Sequence, residues 1–565
     1  MSGTTPSGTI ASPGSGEPQG ASATASPLRR AGLTTPVTVI IVVAAVLALG
    51  LRLYQLSRPG FLLSVNEYDD GPYFGSAVRL VHGDLPYKDF LIVQPPGITL
   101  LMVPVALVSK ATGTAWGMAI GRILTALAGA VAVALAGLLV RHRGVLATII
   151  VCGLMAVYPD SIQAAKTVLV EPWLVLFCLI GALAVFDRDG FTTSRRRLIW
   201  GGVAFGFGGA VEPWAIFPVL VVAVLALRRP RRLLAYAGGV AAGFLVPVIP
   251  FAALAPHQFY EATIVAQIGD RPGATRANLW IRLADMSGLA DVKHPTHLLV
   301  IGAVLLIVAV VAGSVALGFL LTWRLPPVLD LFALAASGLI VLAFFWSDQF
   351  HYHFAAFLAP FLAMAIGLAL SALVRDIRLV FGGDAAAGDA GGGGAAGVGG
   401  DGTPPVLLWG ATFLAGLAIL CMAVVQFGWE THNAPHLKLS VVTHAQRLIP
   451  PGSCLLADEV SFAVMANRLV SDVPGCSLLL DATGTNYAYS HGRDPETGAA
   501  RYARVDAVWT YAFDHAQYVW LSGLNNHRVA WTPQLRAYFQ SHFTEILSAG
   551  NAGHLYRRIG LKPAG

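Results

Sequence analysis

The sequence predicts a polytopic α-helical membrane protein of about eleven transmembrane helices, followed by a C-terminal extracytoplasmic α/β domain. Hydrophobic residues make up 55% of the 565 residues and charged residues only 12%, about half the roughly 25% that is usual in soluble proteins. Apolar runs of about 17–25 residues, the length that crosses a bilayer, recur along the chain. These observations exclude a soluble multidomain enzyme, a disordered scaffold and a nucleic-acid binder with a charged surface.

The transmembrane module is predicted over residues 37–428. The preceding segment, 1–36, is rich in Ser, Thr, Gly, Pro and Ala, and such a composition predicts disorder. Arg29 and Arg30 are expected to hold this segment in the cytoplasm. The predicted spans are 37–56, 117–140, 145–159, 171–186, 198–211, 213–227, 233–254, 297–320, 327–346, 354–373 and 406–427.

Basic residues in the short loops predict the orientation of the module. When the spans alternate from a cytoplasmic start, every short basic loop falls on the cytoplasmic face, as the positive-inside rule requires. The loops 57–96 and 255–296 and the tail 429–565 then lie outside, and the Gly/Ala-rich linker 382–405 lies inside. The basic residues concerned are Arg141, Arg143, Arg188, Arg195 to Arg197, Arg228 to Arg232, Arg324, Arg375 and Arg378.

Residues 91–109 are apolar, but we expect them to lie at the membrane interface or to re-enter from it. If they crossed the membrane, every later basic loop would move to the outside, against the positive-inside rule. Their start, Gln94-Pro95-Pro96-Gly97, also suits an interfacial helix better than a spanning one.

The tail 429–565 differs in composition from the transmembrane module, because charged and polar residues are frequent again. Three short apolar runs predict buried strands, at 454–459, 476–481 and 517–523, and the spacing over 532–547 predicts a helix. Cys454 and Cys476 are the only cysteines of this tail. An oxidising compartment would allow them to pair, but two cysteines alone do not fix a distance, so paired and free thiols both stay open.

Acidic residues cluster directly after the first predicted span, at Glu67, Asp69 and Asp70. Clustered carboxylates raise one another's pKa and can supply a general base or bind a cation. A solvated turn that leaves the membrane is the competing interpretation, and for an arbitrary loop it is the favoured one. Composition alone does not decide between them.

Three patterns resemble the GT-C glycosyltransferases, especially the bacterial protein O-mannosyltransferase-like and lipid A aminoarabinose transferase-like members. The first runs from Asp69 (DD-x-x-YF-x-x-A, then LPYKDF, then QPPGITLL), and it is similar to the first outer loop of that family. The second, QAAKTVLVEP at 163–172, is similar to the second outer loop, and FHYHF at 350–354 to the entry of a late helix. Two positions depart from the pattern, since many relatives have Glu at Asp70 and often Lys at Glu212.

This resemblance implies transfer of a sugar from a polyprenyl-phosphate carrier to a cell-envelope acceptor on the outer face of the plasma membrane. Asp69 would be the general base for the acceptor hydroxyl, and direct displacement would invert the anomeric carbon. Asp70 and Glu171 would position the acceptor or adjust the base. A lipid phosphate needs cationic donors, and the candidates are Lys88, Arg79, His353 and Arg276, with Arg271 and Arg282. The candidates for substrate binding are Glu67, Tyr73, Gln94 and Tyr352.

The expected partners are the carrier-linked donor, a glycan, lipid or protein acceptor, and membrane lipid, without nucleic acid. No metal is predicted, because the fifteen histidines form no ligand set at known spacing; a divalent cation, which some relatives use, is not favoured. The many Ala, Gly, Val and Arg residues suggest a GC-rich bacterial genome. Similarity to actinobacterial relatives then implies mannose or arabinose as the sugar.

Two other functions stay open from the sequence. An envelope-lipid transporter or flippase would also have polar residues within its helices, here Lys166, Glu171 and Glu212, although no internal repeat of hydropathy is visible. A catalytically inactive GT-C-like assembly partner would use the outer domain for contacts alone.

Overall fold

The computed structural model describes residues 35–268, 278–290, 292, 295–347, 349–381, 405–493, 495 and 501–561. The predictions of disorder in 1–36 and of a flexible linker in 382–405 concern residues that lie almost wholly outside these ranges.

The membrane part consists of helices joined by short connections. The first seven are α1 (Thr35–Ser57), α2 (Asp70–Val81), α3 (Gly97–Thr112), α4 (Thr114–Val140), α5 (Val145–Val157), α6 (Pro159–Ala164) and α7 (Glu171–Val185). A hairpin of β1 (Phe186–Asp187) and β2 (Gly190–Phe191) precedes α8 (Arg195–Val211), α9 (Ile216–Leu225) and α10 (Pro230–Leu254). Next are α11 (Pro256–Tyr260), a π-helical turn (Glu261–Val265), α12 (Ala266–Ile268), α13 (Leu279–Met286), α14 (His297–Thr322), α15 (Val328–Trp346), α16 (Ala355–Phe381) and α17 (Pro405–His432).

Within the described residues, seven helices are long and apolar enough to cross a bilayer, namely α1, α4, α10, α14, α15, α16 and α17. The other four predicted spans correspond to the shorter helices α5, α7, α8 and α9. Each of the eleven predicted spans therefore has a helix at its position, and the polytopic helical fold is confirmed.

Glycines bring α8 and α10 into close contact. A Cβ atom on Gly202, Gly206, Gly239 or Gly243 would lie 2.1–2.3 Å from a backbone oxygen of the facing helix. Small residues at such a crossing let two helix backbones approach, which is how helices commonly pack in membranes. This packing holds the end of α8, where Glu212 follows.

The helix α3 has both of its ends at one end of the bundle, which we call the site end. At its start, Gly97 lies so close to the end of α8 that a Cβ would be 2.4 Å from the Ala210 oxygen. Just after it, the Thr114 hydroxyl donates to the Val464 carbonyl of the C-terminal domain at 2.6 Å. A helix arranged in this way lies across the bundle end instead of running through it.

The opposite end of the bundle carries basic residues of the short loops. Arg143 pairs with Asp189 of the hairpin at 2.7 Å and with Asp330 of α15 at 2.6 Å. These pairs bring together three loops that the charge pattern assigns to one face.

The C-terminal domain has α18 (Leu439–Leu448), β3 (Leu455–Ala457), α19 (Val460–Met465), α20 (Ala482–Tyr489), α21 (Ala503–His515), β4 (Tyr518–Leu521), α22 (Pro533–His542), β5 (Phe543–Ser548) and β6 (His554–Arg558). The sheet order is β3-β4-β6-β5, with β3 and β4 parallel and the other pairs antiparallel. The Trp520 ring stacks on Phe462 at 3.7 Å between centroids, so the sheet packs on α19. Cys454 and Cys476 are joined by a disulfide.

Two of the predicted strands, at 454–459 and 517–523, match β3 and β4. The strand predicted at 476–481 is wrong, because residues 476–480 pair with no neighbouring strand and Leu480 instead packs over Gly75 of α2. The prediction of a helix over 532–547 is correct for the first part of the segment only. It ends at His542, and the rest of the segment becomes β5, whose residues pair with β6.

The C-terminal domain docks on the loop between α1 and α2. The Leu437 amide donates to the Val65 carbonyl at 3.1 Å. A Cβ on Gly71 would lie 2.3 Å from the Ser461 amide nitrogen, so only glycine allows this approach. The outer loop and the C-terminal domain thus form one packed unit over the site end.

Candidate active site

Asp69 is the residue before α2, and its side chain makes no capping bond to that helix. Its carboxylate is 29% exposed, and Oδ2 lies 3.6 Å from Nε2 of His353. A partly exposed carboxylate that does not cap its helix is accessible to a substrate.

His353 lies between two carboxylates. It belongs to the 3₁₀ turn Tyr352–Phe354, which leads into α16. Its Nδ1 lies 2.6 Å from Oε1 of Glu171, the first residue of α7, while Nε2 faces Asp69. A positive charge on the ring pairs with both carboxylates at once, so the two acids favour a proton on this buried histidine.

The environment keeps Asp69 ionised. Burial alone would raise the pKa of Asp69, but the hydrogen bond and positive charge of His353, with smaller contributions from His351 and Arg528, outweigh it. The pKa of Asp69 therefore lies below its ordinary value, and the group is a carboxylate at neutral pH.

Tyr73 and Glu212 lie next to Asp69 and His353. Tyr73, one turn into α2, is buried and interacts electrostatically with Asp69, Glu171 and Glu212. Glu212 is 7% exposed and also interacts with His353. Three carboxylates thus surround one imidazole ring at the site end.

A second polar group adjoins the first through Tyr352. The Tyr352 hydroxyl donates to Oε2 of Glu67 at 2.7 Å, and the Lys166 ammonium lies 3.9 Å from the same oxygen. That ammonium also lies 5.2 Å from the centroid of the Tyr352 ring. Because an ammonium has three donors, Lys166 keeps capacity for an anionic ligand.

Asp70 plays a different part from its neighbour. It is fully buried, and Oδ2 lies 2.9 Å from Nη2 of Arg122 in α4, which is also fully buried. The hydroxyls of Thr167 and Ser461 donate to the two carboxylate oxygens. Asp70 therefore joins the outer loop, the bundle and the C-terminal domain, and it has no exposed atom for an acceptor.

The C-terminal domain adds a cation and a further acid beside the outer loop. The Arg528 guanidinium lies 4.5 Å from the centroid of the Tyr68 ring and 2.8 Å from Oε2 of Glu459. The Tyr68 hydroxyl donates to Asp481 at 3.3 Å. Arg528 is one of the groups that lower the pKa of Asp69, so this domain contributes to the electrostatics of the site.

The structure brings six of the eleven candidate residues of the sequence into one cluster. These are Asp69, Glu171, His353, Glu67, Tyr73 and Tyr352. The expectation that Asp70 contacts the acceptor needs correction, because its oxygens are already taken by Arg122, Thr167 and Ser461.

The cations predicted for a lipid phosphate fit less well. Arg79 is buried near the end of α2, about 15 Å along the helix axis from Asp69, and pairs with Asp84 at 3.8 Å. Lys88 is exposed on a separate turn, and Arg276 lies outside the described residues. His353 is occupied by two carboxylates, which leaves little donor capacity for a phosphate.

Gln94 and Arg282 have other partners. The Gln94 carbonyl accepts from the Tyr87 hydroxyl at 2.6 Å, which fixes the segment before α3. Arg282 donates to the Phe344 and Ser347 carbonyls at the end of α15, which is a structural role.

Sequence reasoning missed Lys166 and Arg528 as cations of the site. Lys166 lies five residues before Glu171 within the pattern at 163–172, and this proximity in the sequence is the feature that could have identified it as a residue of the site. Arg528 has no such signal, because only the docking of the C-terminal domain brings it to the outer loop. Within the described ranges, no group of three or more His, Cys, Asp or Glu side chains is arranged to hold a metal ion.

The fold and the site define a polytopic membrane protein with a GT-C-type fold. The chain is similar to the crystal structure of ArnT from Cupriavidus metallidurans bound to undecaprenyl phosphate. The TM-score is 0.55 at 14% identity, over 93% of this chain and 98% of that chain. The same protein in the apo state gives a TM-score of 0.54 at 15% identity, over 92% and 98%. Identities this low show the fold alone.

A family model matches the middle of the chain. The model of glycosyltransferase family 87 matches residues 93–347, a segment of somewhat under half of the chain that contains Lys166, Glu171 and Glu212. No curated protein matches the sequence at a significant level. The match spans α3 to α15, so it relates the helical module to glycosyltransferase family 87 over a little under half of the chain.

Proposed function

We propose that this protein transfers a sugar from a polyprenyl-phosphate carrier to a cell-envelope acceptor on the outer face of the plasma membrane. The transfer inverts the anomeric carbon of the sugar, and Asp69 is the general base. One observation carries the proposal: an ionised, partly exposed Asp69 lies beside the His353–Glu171 pair, with the Lys166 ammonium held in the adjoining group. The site therefore offers a base and a cation, the two groups that such a transfer needs.

Asp69 acts on the acceptor hydroxyl. As the anomeric carbon gains oxocarbenium character, the attacking oxygen becomes acidic while the new bond forms. A carboxylate with a lowered pKa is then basic enough to take the proton, and it is ionised before the acceptor arrives. His353 holds the carboxylate in place through Nε2 and is itself held by Glu171 through Nδ1. With one base and no covalent intermediate, the configuration at the anomeric carbon inverts.

Lys166 binds the carrier phosphate. It is 13% exposed, it is held by Glu67 and the Tyr352 ring, and it can donate two further hydrogen bonds. A phosphate there meets a positive charge in a partly desolvated site, which stabilises the charge that develops on the leaving group. We propose Lys166 in place of Lys88 and Arg79 because it adjoins the cluster.

The C-terminal domain forms the acceptor side of the site. Arg528, Tyr68 and Asp481 lie at its junction with the outer loop. A disulfide in this domain is typical of an oxidising compartment, and the basic loops lie at the other end of the bundle. Both features support an extracytoplasmic position for this domain and a cytoplasmic position for the basic loops.

A donor panel tests this proposal. Purified protein in nanodiscs is given radiolabelled polyprenyl-phosphate sugars with envelope extracts as acceptor. Mannose and arabinose carriers come first, because the composition suggests a GC-rich bacterial genome such as that of actinobacteria. We expect release of free polyprenyl phosphate and a product of inverted configuration by NMR. Failure to consume any carrier-linked sugar would contradict the proposed function, and a retained configuration would contradict the single-base mechanism.

A further inference from the structure

A small cavity lies beneath the site, on the side of Glu171 that faces the bundle interior. Its volume is about 20 Å³, and Arg52 of α1, Ser161 of α6 and Glu171 of α7 contribute its polar lining. The remaining walls are apolar residues of α4, α5, α7 and α16. A space of about this size, with two to four polar partners, is what one ordered water occupies in protein interiors.

Two buried polar atoms of this lining have no partner within the protein. Glu171 is 2% exposed and Arg52 is 1% exposed, and neither Oε2 of Glu171 nor Nε of Arg52 has a hydrogen-bond partner. An unsatisfied buried carboxylate oxygen and an unsatisfied guanidinium N–H are each costly alone. An acceptor and a donor that line the same cavity satisfy each other through one water.

Arg52 is firmly held in this position. Nη1 donates to the Ala48 carbonyl of its own helix at 2.9 Å, and Nη2 donates to the Ser161 carbonyl at 3.1 Å. Gly129 of α4 makes the space, because a Cβ there would lie 2.9 Å from Nε of Arg52. The guanidinium is therefore fixed so that Nε, and not a terminal nitrogen, is the donor left for the cavity.

We propose that Arg52 is a positioning residue of the active site, which acts on Glu171 through a water bound in this cavity. The cation stabilises the Glu171 carboxylate, and that carboxylate holds His353 protonated and aimed at Asp69. The inference rests on the proposed function for its kinetic readout. Its structural content, the bridging water, does not depend on which reaction the protein catalyses.

The proposal makes a specific statement about pH dependence. Removing the positive charge of Arg52 from beside the Glu171–His353 pair favours the positively charged imidazolium of His353, so the basic limb of the pH–rate profile moves to higher pH. Other charged and titratable groups also face this pair, and they stay unchanged in the test. Around Glu171 and His353 they are Asp69, Tyr73, Glu212, His351 and Tyr352, with Asp160 facing Tyr352, and beside Arg52 it is Glu430.

Three variants test it in the full-length protein, with rates of carrier release measured against pH. Arg52→Met removes the charge and keeps the stem, and we expect the basic limb of the profile to move to higher pH by about half a pH unit or more. Arg52→Lys keeps a charge and is expected to restore the wild-type limbs. Gln55→Met, one turn along α1, breaks the 3.2 Å bond to Gln163 without touching the cavity, so stability falls while the limbs stay in place.

An unchanged profile in Arg52→Met, with a lower rate at every pH, would overturn the proposal, because that is what a merely structural arginine gives. A second measurement is independent of activity. A cryo-EM map that resolves buried waters is expected to show one density between Glu171, Arg52 and Ser161 in the wild type and none in Arg52→Met. Absence of this density in the wild type contradicts the bridge, whereas its presence in a protein that transfers no sugar would contradict only the proposed function.

Discussion

Replacing Asp70 by Asn distinguishes the structural role of Asp70 from the proposed catalytic role of its neighbour Asp69. The substitution keeps the shape of the side chain but removes the charge that faces Arg122. The guanidinium then stays fully buried with only neutral acceptors, the carbonyls of Phe61 and Leu62 and the hydroxyl of Thr167. A buried ion pair that loses one partner is strongly destabilised.

The magnitude follows from the burial of the pair. With both side chains fully buried and the charged atoms 2.9 Å apart, the loss is about 3–5 kcal/mol in the free energy of unfolding. Unfolding entropy is about 2.1 cal/mol/K per residue, so a chain of this length loses about 3–4 °C in Tm if it unfolds as one unit. The matched control is Asp84→Asn, which breaks a 3.8 Å pair at the other end of α2 with a partly exposed acid, and we expect a loss of about 1 kcal/mol.

The assay is thermal unfolding in nanodiscs, followed by tryptophan fluorescence, together with sugar transfer at a temperature where every variant stays folded. A structural clamp predicts a clear loss of Tm in Asp70→Asn and a much smaller one in Asp84→Asn. Abolished transfer in Asp70→Asn with an unchanged Tm would refute this reasoning, because it would make Asp70 a direct participant in the chemistry.

Three further predictions concern the cation, the histidine and the disulfide. Lys166→Met is expected to raise the KM for the carrier-linked donor about tenfold to a hundredfold, which corresponds to the loss of one charge-assisted hydrogen bond. The control, Lys88→Met, is expected to leave this KM unchanged. Equal effects of the two substitutions would contradict the assignment of Lys166 to the carrier phosphate. His353→Gln removes the group that lowers the pKa of Asp69 and leaves the burial that raises this pKa. The acidic limb of the pH–rate profile is therefore expected to move to higher pH. An acidic limb that stays in place or moves to lower pH would contradict the pairing of His353 with Asp69. Replacing both half-cystines by Ser opens a loop of sequence separation 22 and is expected to destabilise the C-terminal domain by about 3 kcal/mol. Pulse proteolysis in urea measures this loss, and an unchanged unfolding midpoint would contradict it.

The sequence predicted the helical frame, and it also singled out three residues that the structure brings into one cluster, Asp69, Glu171 and His353. Apolar length reports a membrane span directly, so each of the eleven predicted spans has a helix at its position, and seven of these helices in the described residues are long and apolar enough to cross a bilayer. Asp69, Glu171 and His353 were found because each lies within a short pattern that resembles a known family. Their meeting in one cluster then follows from the ends of three helices that share one end of the bundle.

What the sequence did not predict depends on contacts between distant segments. Asp70 and Arg122 are 52 residues apart, and nothing in the local sequence distinguishes the buried Asp70 from Asp69, the proposed general base beside it. The segment 476–480 has the composition of a strand, but a strand also needs a partner, and here Leu480 packs on α2 instead. Lys166 was read as a polar residue within the membrane, since its approach to Glu67 is set by the fold.

One pair of variants tests the central claim most directly. Asp69→Asn and Asp89→Asn change one carboxylate each in the same outer loop, and Asp89 is exposed and bonded only to its own turn, at the Leu85 amide. The measurement is the single-turnover rate at which purified protein releases polyprenyl phosphate from the donor that the panel identifies. We predict a loss of about 10²–10⁴-fold in Asp69→Asn, with donor KM retained, and a wild-type rate in Asp89→Asn. Transfer at the wild-type rate by Asp69→Asn would contradict the assignment of the general base.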